Sequence, residues 1–255
     1  MDRSPVFSAI KALRAGKPFT QAEVVAVDGL LDTLGIARST GPAATAAKIG
    51  LTAADFQQVA TALGCTIAQI RAVWEVESGG GWFKDVRADI LALDGPGGFL
   101  DGPHLPKILF EAHIFDRYTE GKFRASHPNL SSARWDRKLY IGGQGEYVRL
   151  WKAMALDRQA ALLSASVGGA QIMGFNHKAA GFETVEAFWD AMRVSEAAHL
   201  NAFAAFITSK KLVTALKAIS NVAATCIAFA KGYNGAGYAA NSYHVKIAAA
   251  HARYS

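Results

Sequence analysis

The stretch that decides the fold is IRAVWEVESGGGWF, residues 70–83, in which two glutamates one residue apart are followed by three glycines. Helical periodicity places four side chains on one face, at i, i+3, i+4 and i+7: Ile70, Val73, Trp74 and Glu77. Because the rest of this face is apolar, we expect it to turn inward. The stretch therefore predicts a helix that carries the Glu77 carboxyl toward the interior.

The two glutamates differ in helical phase. At about 100° per residue, Glu75 lies about 200° from Glu77. We therefore expect Glu75 to be solvated and to pair with Arg71 one turn back. For Glu77, we expect the pKa to be raised by loss of water, by the apolar Trp74 and by the negative end of the helix dipole.

A carboxyl that stays protonated near neutral pH is what a general acid requires, for example to protonate a glycosidic oxygen. Gly79, Gly80 and Gly81 are expected to end the helix and to leave room for a bulky substrate. The same pattern also fits a structural glutamate bonded to the amides of a glycine-rich turn. The stretch alone does not choose between these interpretations.

Composition sets the broad class. The chain has 255 residues, of which 51% are hydrophobic and 19% charged, so it can form a sizeable core and is not disordered. Its net charge of +6 suits a polyanionic partner such as nucleic acid, an anionic membrane or an acidic wall polymer. The basic residues are scattered, however, so no nucleic-acid partner is predicted.

Cysteines and targeting signals exclude further classes. The two cysteines, Cys65 and Cys226, lie among apolar neighbours and are expected to be buried free thiols, with a disulfide left open. CxxC and HExxH spacings do not occur, so a zinc site is not predicted. With no signal peptide and no run of about 18 apolar residues, we expect synthesis in the cytoplasm without stable membrane insertion.

Helical signals dominate and predict a mainly α fold. Capping boxes begin at Thr20, Thr52 and Thr66, and Gly64 is a stop signal. Further helices are expected near 106–119, 145–165, 184–208, 211–218, 221–231 and 241–252. Loops are expected at 79–104, with room for a short hairpin, and at 120–144.

A stretch of small residues, ARSTGPAATAAKIG at 37–50, marks the predicted domain boundary. It separates a small helical N-terminal segment, residues 1–45, from a helical domain, residues 46–255. The segment has two interpretations: extra helices packed on the main domain, or a separate cell-wall-binding module.

Two later motifs favour the catalytic interpretation of Glu77. SASVGGAQIMGFN (164–176) and AFAKGYNGAGY (228–238) place amides and an aromatic hydroxyl at loop or helix ends, where they suit sugar hydroxyls and N-acetyl groups. Taken singly, QIM is typical of a core and YNG of a turn. In the order ES, QIM, YNG, the chain resembles the lysozyme-like superfamily of goose-type lysozymes and lytic transglycosylases.

The closer resemblance is to the phage endolysin N-acetylmuramidases, over roughly residues 50–255. It is carried by VESGGG (76–81), PKILFEAHIFDRYT (106–119), and the stretches at 155–188 and 229–254. It implies a lysozyme-like helical domain of phage origin with Glu77 as the catalytic acid. It places four further residues in the cleft as substrate contacts: Ser78, Gln171, Tyr233 and Asn234.

The resemblance also implies the activity. Such an enzyme cleaves the β-1,4 bond between N-acetylmuramic acid and N-acetylglucosamine in peptidoglycan, without metal or cofactor, and lyses bacteria. It would act as a monomer on the wall in the periplasm, after release from the host cytoplasm. The chain departs from the family pattern at 167–170, VGGA in place of a bulky pair before QIM, and in a longer loop after Glu77.

Glu111 and His113 form the other polar stretch of the family, LFEAH. On a helix they would lie about 200° apart, so we expect only one to face the cleft. We place Glu111 among the substrate-binding residues. The alternatives are a direct catalytic role and a structural carboxylate that holds the active-site loop.

Hydrolysis also needs a nucleophile about 5–5.5 Å from the acid, or a base about 6.5–9.5 Å away. The candidates in the loop after Glu77 are Asp85, Asp89, Asp94 and Asp101. We favour Asp101 as the second catalytic residue because FLDG shortly precedes PKILFE, although each aspartate also fits a turn. Without a second carboxylate, a sugar hydroxyl would attack, as in lytic transglycosylases. A non-catalytic wall-binding protein on the same scaffold is a further alternative.

Overall fold

The computed structural model describes residues 49–79, 81–93 and 104–255, with a few isolated positions nearer the N-terminus. The N-terminal segment predicted over residues 1–45, with its capping box at Thr20, lies almost wholly outside these ranges. Asp94 and Asp101 also lie outside the described residues.

The first two described helices begin as their sequences predict. Helix α1 (Ala53–Leu63) has a capping box from Thr52 to Asp55 and ends at Gly64, whose φ of +64° is the left-handed conformation of a helix stop. Helix α2 (Ile67–Ser78) has the second box, from Thr66 to Gln69. Each box satisfies backbone N–H groups that a helix start otherwise leaves unpaired.

The remaining helices are short to medium in length. They are α3 (Ala88–Leu91), α4 (Ala112–Tyr118), α5 (Gly145–Leu156), α6 (Arg158–Leu163), α7 (Val185–Val194), α8 (Glu196–Ser209), α9 (Val213–Lys217), α10 (Ala223–Asn234) and α11 (Tyr243–Tyr254). Turns of 3₁₀ helix occur at Arg137–Leu139, Gly174–Asn176 and Gly235–Tyr238.

Within the described ranges, five short strands form two antiparallel sheets. Strand β1 (Trp82–Phe83) pairs with β2 (Leu105–Pro106), so the predicted loop at 79–104 holds a strand and helix α3. Strand β3 (Ile108–Phe110) pairs with β4 (Ala165–Val167), which pairs with β5 (Ile172–Met173). The helix predicted over 106–119 is therefore wrong in its first half, because pairing with β4 draws residues 108–110 into a strand and delays the helix to residue 112.

Two predicted helices are each divided by a capping residue. The stretch 145–165 breaks at Asp157, whose backbone is extended and whose side chain accepts a hydrogen bond from Ala160 N–H to begin α6. The stretch 184–208 breaks at Ser195, which caps α8 in the same way through Ala198 N–H. An N-cap residue inside an apolar-periodic stretch thus begins a second helix.

In the part of the chain that the structure describes, the buried apolar residues form two hydrophobic clusters. One joins the three-stranded sheet to α4–α7 and includes Phe110, Phe115 and Trp189. The other joins α1, α2 and α8–α11 and includes Val73 and Phe203. Ala170, in the loop between β4 and β5, packs against both, so this loop lies where the two clusters meet.

Cys65 is half-buried and Cys226 is buried, and both are free thiols. The predicted thiol state is confirmed, although Cys65 is less buried than expected. Of the helices in the described ranges, none combines the length and hydropathy needed to cross a bilayer.

Candidate active site

The inward face of α2 is confirmed. Ile70 and Val73 are fully buried and Trp74 is 5% exposed, while Glu77 follows on the same face in the last turn. Gly79 ends the helix in the left-handed conformation, with φ of +47°. The partly buried Glu77 carboxyl therefore lies at the end of an apolar helix face.

Asn234 is the hydrogen-bond partner of Glu77. Its amide Nδ2 donates to Glu77 Oε1 over 3.0 Å. Burial raises the pKa of the Glu77 carboxyl above its ordinary value, and the Asn234 bond partly opposes the rise because it stabilises the ionised form. Since an N–H occupies Oε1, the proton of the neutral acid belongs on Oε2, which has no hydrogen bond to any described residue.

Tyr233 joins the two sides of the site. Its hydroxyl donates to the Ala170 carbonyl over 3.3 Å, and its ring stacks on Phe229 and meets Phe203 edge-on. Burial raises the pKa of the Tyr233 hydroxyl, and the nearby Glu77 charge adds to the rise. The YNG motif thus anchors both the acid and the 168–171 loop.

Gln171 holds that loop in shape. Its backbone is left-handed, with φ of +48°, and its Nε2 donates to the carbonyls of Lys107 (3.0 Å) and Gly168 (2.8 Å). Its Oε1 accepts from the Ser166 hydroxyl over 2.9 Å. Both amide hydrogens of Gln171 are therefore used within the protein, leaving part of the carbonyl oxygen for a ligand.

The glycines of the site are required by close packing. A Cβ on Gly169 would lie 2.6 Å from the Trp74 ring, and one on Gly81 would lie 3.1 Å from Gly169. Gly79 has nothing within 4 Å of such a Cβ. The expectation that all three glycines after the helix clear an approach to Glu77 is therefore corrected: Gly81 packs against the opposite loop, and Gly80 lies outside the described residues.

His199, which sequence reasoning missed, supports the same loop. Its Nδ1 accepts from Gly169 N–H over 3.2 Å and its Nε2 donates to the Met192 carbonyl over 2.6 Å. The ring stacks on Trp82 with centroids 4.9 Å apart. Burial lowers the pKa of His199 to about 4, so the imidazole is neutral at physiological pH. Only its place in an apolar helix could have indicated a buried histidine.

Glu111 and His113 lie together rather than on opposite faces. His113 Nδ1 is 3.3 Å from Glu111 Oε2, because Glu111 has extended backbone and precedes α4. The expectation of a 200° separation was wrong for that reason. Tyr140 donates its hydroxyl to the same Oε2 over 2.6 Å.

Glu146, also missed, is the buried carboxylate that holds the sheet to its neighbouring loop. It is fully buried and accepts from Ile141 N–H (2.8 Å), Gly142 N–H (2.9 Å) and Phe110 N–H (3.2 Å). Arg149 Nη1 donates to Glu146 Oε2 over 2.8 Å.

The expected Glu75–Arg71 pair does not form. Glu75 instead accepts from Arg253 and Tyr254 of α11, and Arg71 stacks over the Tyr254 ring at 4.3 Å. The reason is that α11 packs alongside α2, which brings partners from the far end of the sequence.

The remaining predicted residues are less connected. The Ser78 side chain makes no hydrogen bond with any described residue, although a Cβ on Gly169 would come within 3.3 Å of it. Asp85 is exposed with φ of +52°, and Asp89 is exposed and paired with Arg87. Within the described ranges neither aspartate bonds to Glu77, and Asp101 stays a prediction. No group of three or more His, Cys, Asp or Glu residues suited to a metal occurs in the part of the chain that the structure describes.

Residues 66–255 match the family model described as N-acetylmuramidase, so the match includes Glu77, the QIM loop and Asn234. The chain belongs to the N-acetylmuramidase family. Among solved structures, the crystal structure of the Burkholderia AP3 phage endolysin is similar, with 37% identity and a TM-score of 0.65 over 80% of this chain and 71% of that one. The comparison with curated proteins found no match.

This N-acetylmuramidase is therefore a glycoside hydrolase whose substrate is peptidoglycan. The resemblance to phage endolysin muramidases and the mainly α, lysozyme-like fold are confirmed.

Proposed function

We propose that Glu77 is the general acid with which this muramidase cleaves the β-1,4 bond between N-acetylmuramic acid and N-acetylglucosamine. The observation that carries the proposal is the Glu77 carboxyl itself, whose pKa is raised by burial and whose Oε1 is held by Asn234. Its proton on Oε2 is transferred to the leaving glycosidic oxygen, which then departs as a neutral hydroxyl. Asn234 positions the acid and stabilises the carboxylate that remains.

The second step requires an attacking group. We propose Asp101 for this role, as nucleophile or as base for a water molecule. Ser78, Gln171 and Tyr233 complete the proposed cleft. Gln171 donates to the Gly168 carbonyl and Tyr233 to the Ala170 carbonyl, both in the loop between β4 and β5. In this proposal residues 46–255 form the catalytic domain, and residues 1–45 form a small helical segment that assists wall binding.

The proposed setting follows from the substrate. The monomeric enzyme is made in the host cytoplasm, acts on the wall in the periplasm after release, and lyses the cell. Its net charge of +6 favours approach to an anionic envelope.

Glu77→Gln tests the acid. We expect the rate of turbidity loss of permeabilised bacteria to fall at least about 100-fold, because removing a general acid costs about 10²–10⁴ in rate. Wall binding should persist. Glu75→Gln, on the opposite face of α2, is the matched control and should stay active. Lysis by Glu77→Gln at the wild-type rate would overturn the proposal. A non-catalytic wall-binding protein would cause no turbidity loss, either with Glu77 or with Gln at this position.

Product analysis and Asp101→Asn test the second step. Mass spectrometry of digested peptidoglycan should show reducing muramic acid ends, whereas anhydromuramic ends would identify a lytic transglycosylase. Asp101→Asn should abolish turnover while Asp94→Asn, in the same loop, should not. Equal activity of both variants would remove Asp101 from the mechanism.

A further inference from the structure

A second concave surface lies beyond strand β3. It is an open cavity of about 550 Å³ whose lining includes Leu109, Glu111, Trp135, Arg137 and Ile141. Trp135 is 57% exposed and Ile141 is 65% exposed. Two large apolar side chains on one concave surface, beside a carboxylate and a guanidinium, have the composition of a ligand-binding site.

Hydrogen bonds hold this surface in a fixed arrangement. Trp135 Nε1 donates to the Tyr140 hydroxyl over 2.8 Å, and Tyr140 in turn donates to Glu111 Oε2 over 2.6 Å. The Trp135 and Tyr140 rings have centroids 6.3 Å apart. Because the exposed indole is already oriented, a ligand that stacks on it loses little conformational entropy on binding.

Strand β3 connects this surface to the end of helix α2, which carries Glu77. Lys107 directly precedes β3, Leu109 is its middle residue and Glu111 directly follows it, with extended backbone. At this spacing of two residues the three side chains are directed to the same face of the sheet. At one end Lys107 Nζ donates to the carbonyl of Gly79, two residues after Glu77, over 3.1 Å. At the other end, four residues and about 13 Å further on, lies Glu111. A polymer lying along β3 would therefore reach both ends, whereas a disaccharide at Glu77 would not.

The chemistry of the surface fits a sugar ring. The indole of Trp135 and the side chain of Ile141 offer an apolar face. Glu111 Oε1, which accepts no hydrogen bond from any described residue, offers an acceptor for a hydroxyl or an acetamide N–H. An aromatic ring with a few placed polar groups is suited to a neutral ring that is apolar on its face and polar at its edge.

We propose that Trp135, Tyr140, Glu111 and Ile141 form a distal subsite that binds an N-acetylhexosamine ring of the glycan strand, away from the bond that is cleaved. Trp135 stacks on the sugar, Tyr140 fixes the indole, and Glu111 accepts a hydrogen bond from the ring. The position relative to the cleaved bond rests on the proposed role of Glu77. The subsite selects long strands over short fragments.

Binding without turnover tests the subsite. In the Glu77→Gln background, Trp135→Ala should weaken binding of the N-acetylglucosamine hexamer at least about tenfold by calorimetry, with dimer binding unchanged. Trp135→Phe should recover part of the affinity. Tyr118→Ala, an exposed aromatic outside this surface, should match the parent. Thermal unfolding of each variant verifies that it is folded.

Two results would overturn the subsite: equal hexamer affinity of Trp135→Ala and its parent, or quenching of Trp135 fluorescence by an isolated wall stem peptide and not by the hexamer. In the active enzyme, Trp135→Ala should raise KM for long strands with kcat unchanged. The two proposals fail separately, because a lytic Glu77→Gln variant would refute the acid while hexamer binding at Trp135 would still be measured.

Discussion

Glu77, at the end of helix α2, and Glu146, beside strand β3, are two carboxylates with very different hydrogen-bond partners. On the helical side, Glu77 has one hydrogen-bond donor, the Asn234 amide, and burial raises its pKa. On the sheet side, Glu146 is fully buried and receives three backbone N–H groups and the Arg149 guanidinium. The two carboxylates therefore differ in the number of their hydrogen-bond donors as well as in the extent of their burial.

The difference explains their roles. A carboxylate that accepts hydrogen bonds from four donors has both of its oxygens occupied within the protein and offers neither to a substrate. A partly buried carboxyl with a single donor keeps one oxygen free for the substrate. Because that oxygen lacks a partner within the protein, the arrangement lowers the stability of the folded state. The first arrangement holds the sheet and its loop together, and the second leaves a group that can react.

The same substitution at both positions should have opposite effects on stability. Glu146→Gln should lower the free energy of unfolding by about 3–5 kcal/mol, because it leaves Arg149 buried without its counter-charge. Glu77→Gln should keep or raise the stability at pH 7, since the raised pKa of Glu77 means that its ionised form destabilises the folded state above that pKa. Urea unfolding of both variants measures this. Equal decreases in the free energy of unfolding would show that the two carboxylates contribute alike to stability.

His199 sharpens the comparison on the loop that faces Glu77. The unfolded histidine takes a proton near pH 6.5 and the folded one only near pH 4, so stability should fall as the pH falls between these values, by about 3 kcal/mol in total. His199→Gln should be less stable at pH 7 but should lose this part of the acid dependence. Chemical unfolding from pH 7 to pH 4 is the measurement. His251→Gln, in α11, is the control and should keep the acid dependence of the wild-type stability. If His251→Gln removed as much of this acid dependence as His199→Gln does, His199 would not be its cause.

Asn234→Ala tests the single donor of Glu77 and should have the smallest effect. Without the amide the pKa of Glu77 rises further, so the alkaline fall in activity, where the acid loses its proton, should move to higher pH. The maximal rate should fall about fivefold, as for the loss of one hydrogen bond. A pH–rate profile measures both. Asn241→Ala is the control, because Asn241 is exposed and its amide donates to Gly237 rather than to Glu77; this variant should leave the profile unchanged. An unmoved profile in Asn234→Ala would exclude the bond from catalysis.

The sequence predicted the features that depend on neighbouring residues and on the order of motifs along the chain. The phase of α2 distinguished Glu77 from Glu75 because a regular helix fixes every side chain on it. The capping boxes at Thr52 and Thr66 located the helix starts for the same reason. The order of the ES, QIM and YNG motifs indicated which residues meet, and Asn234 does contact Glu77.

What it did not predict depends on distant partners. Strand β3 has three residues, too few to show a pattern, and exists because β4 pairs with it. Glu75 found Arg253 in place of Arg71 because α11 lies beside α2. His199 and Glu146 lie in helices whose sequences do not reveal which polar side chain is enclosed. For the second carboxylate, expected at Asp101, the neighbouring sequence offers only an Asp-Gly pair, which is also typical of a turn.

The bond between Asn234 and Glu77 joins residues 157 positions apart. During translation the acid is therefore made long before the residue that positions it, and α2 must wait for α10 and α11 before its polar end is enclosed. Until then Glu77 is an ordinary hydrated glutamate on a nascent helix. Contacts of such large sequence separation also form late in folding. The hydrogen bond that positions Glu77 can therefore form only after α10 has been synthesised.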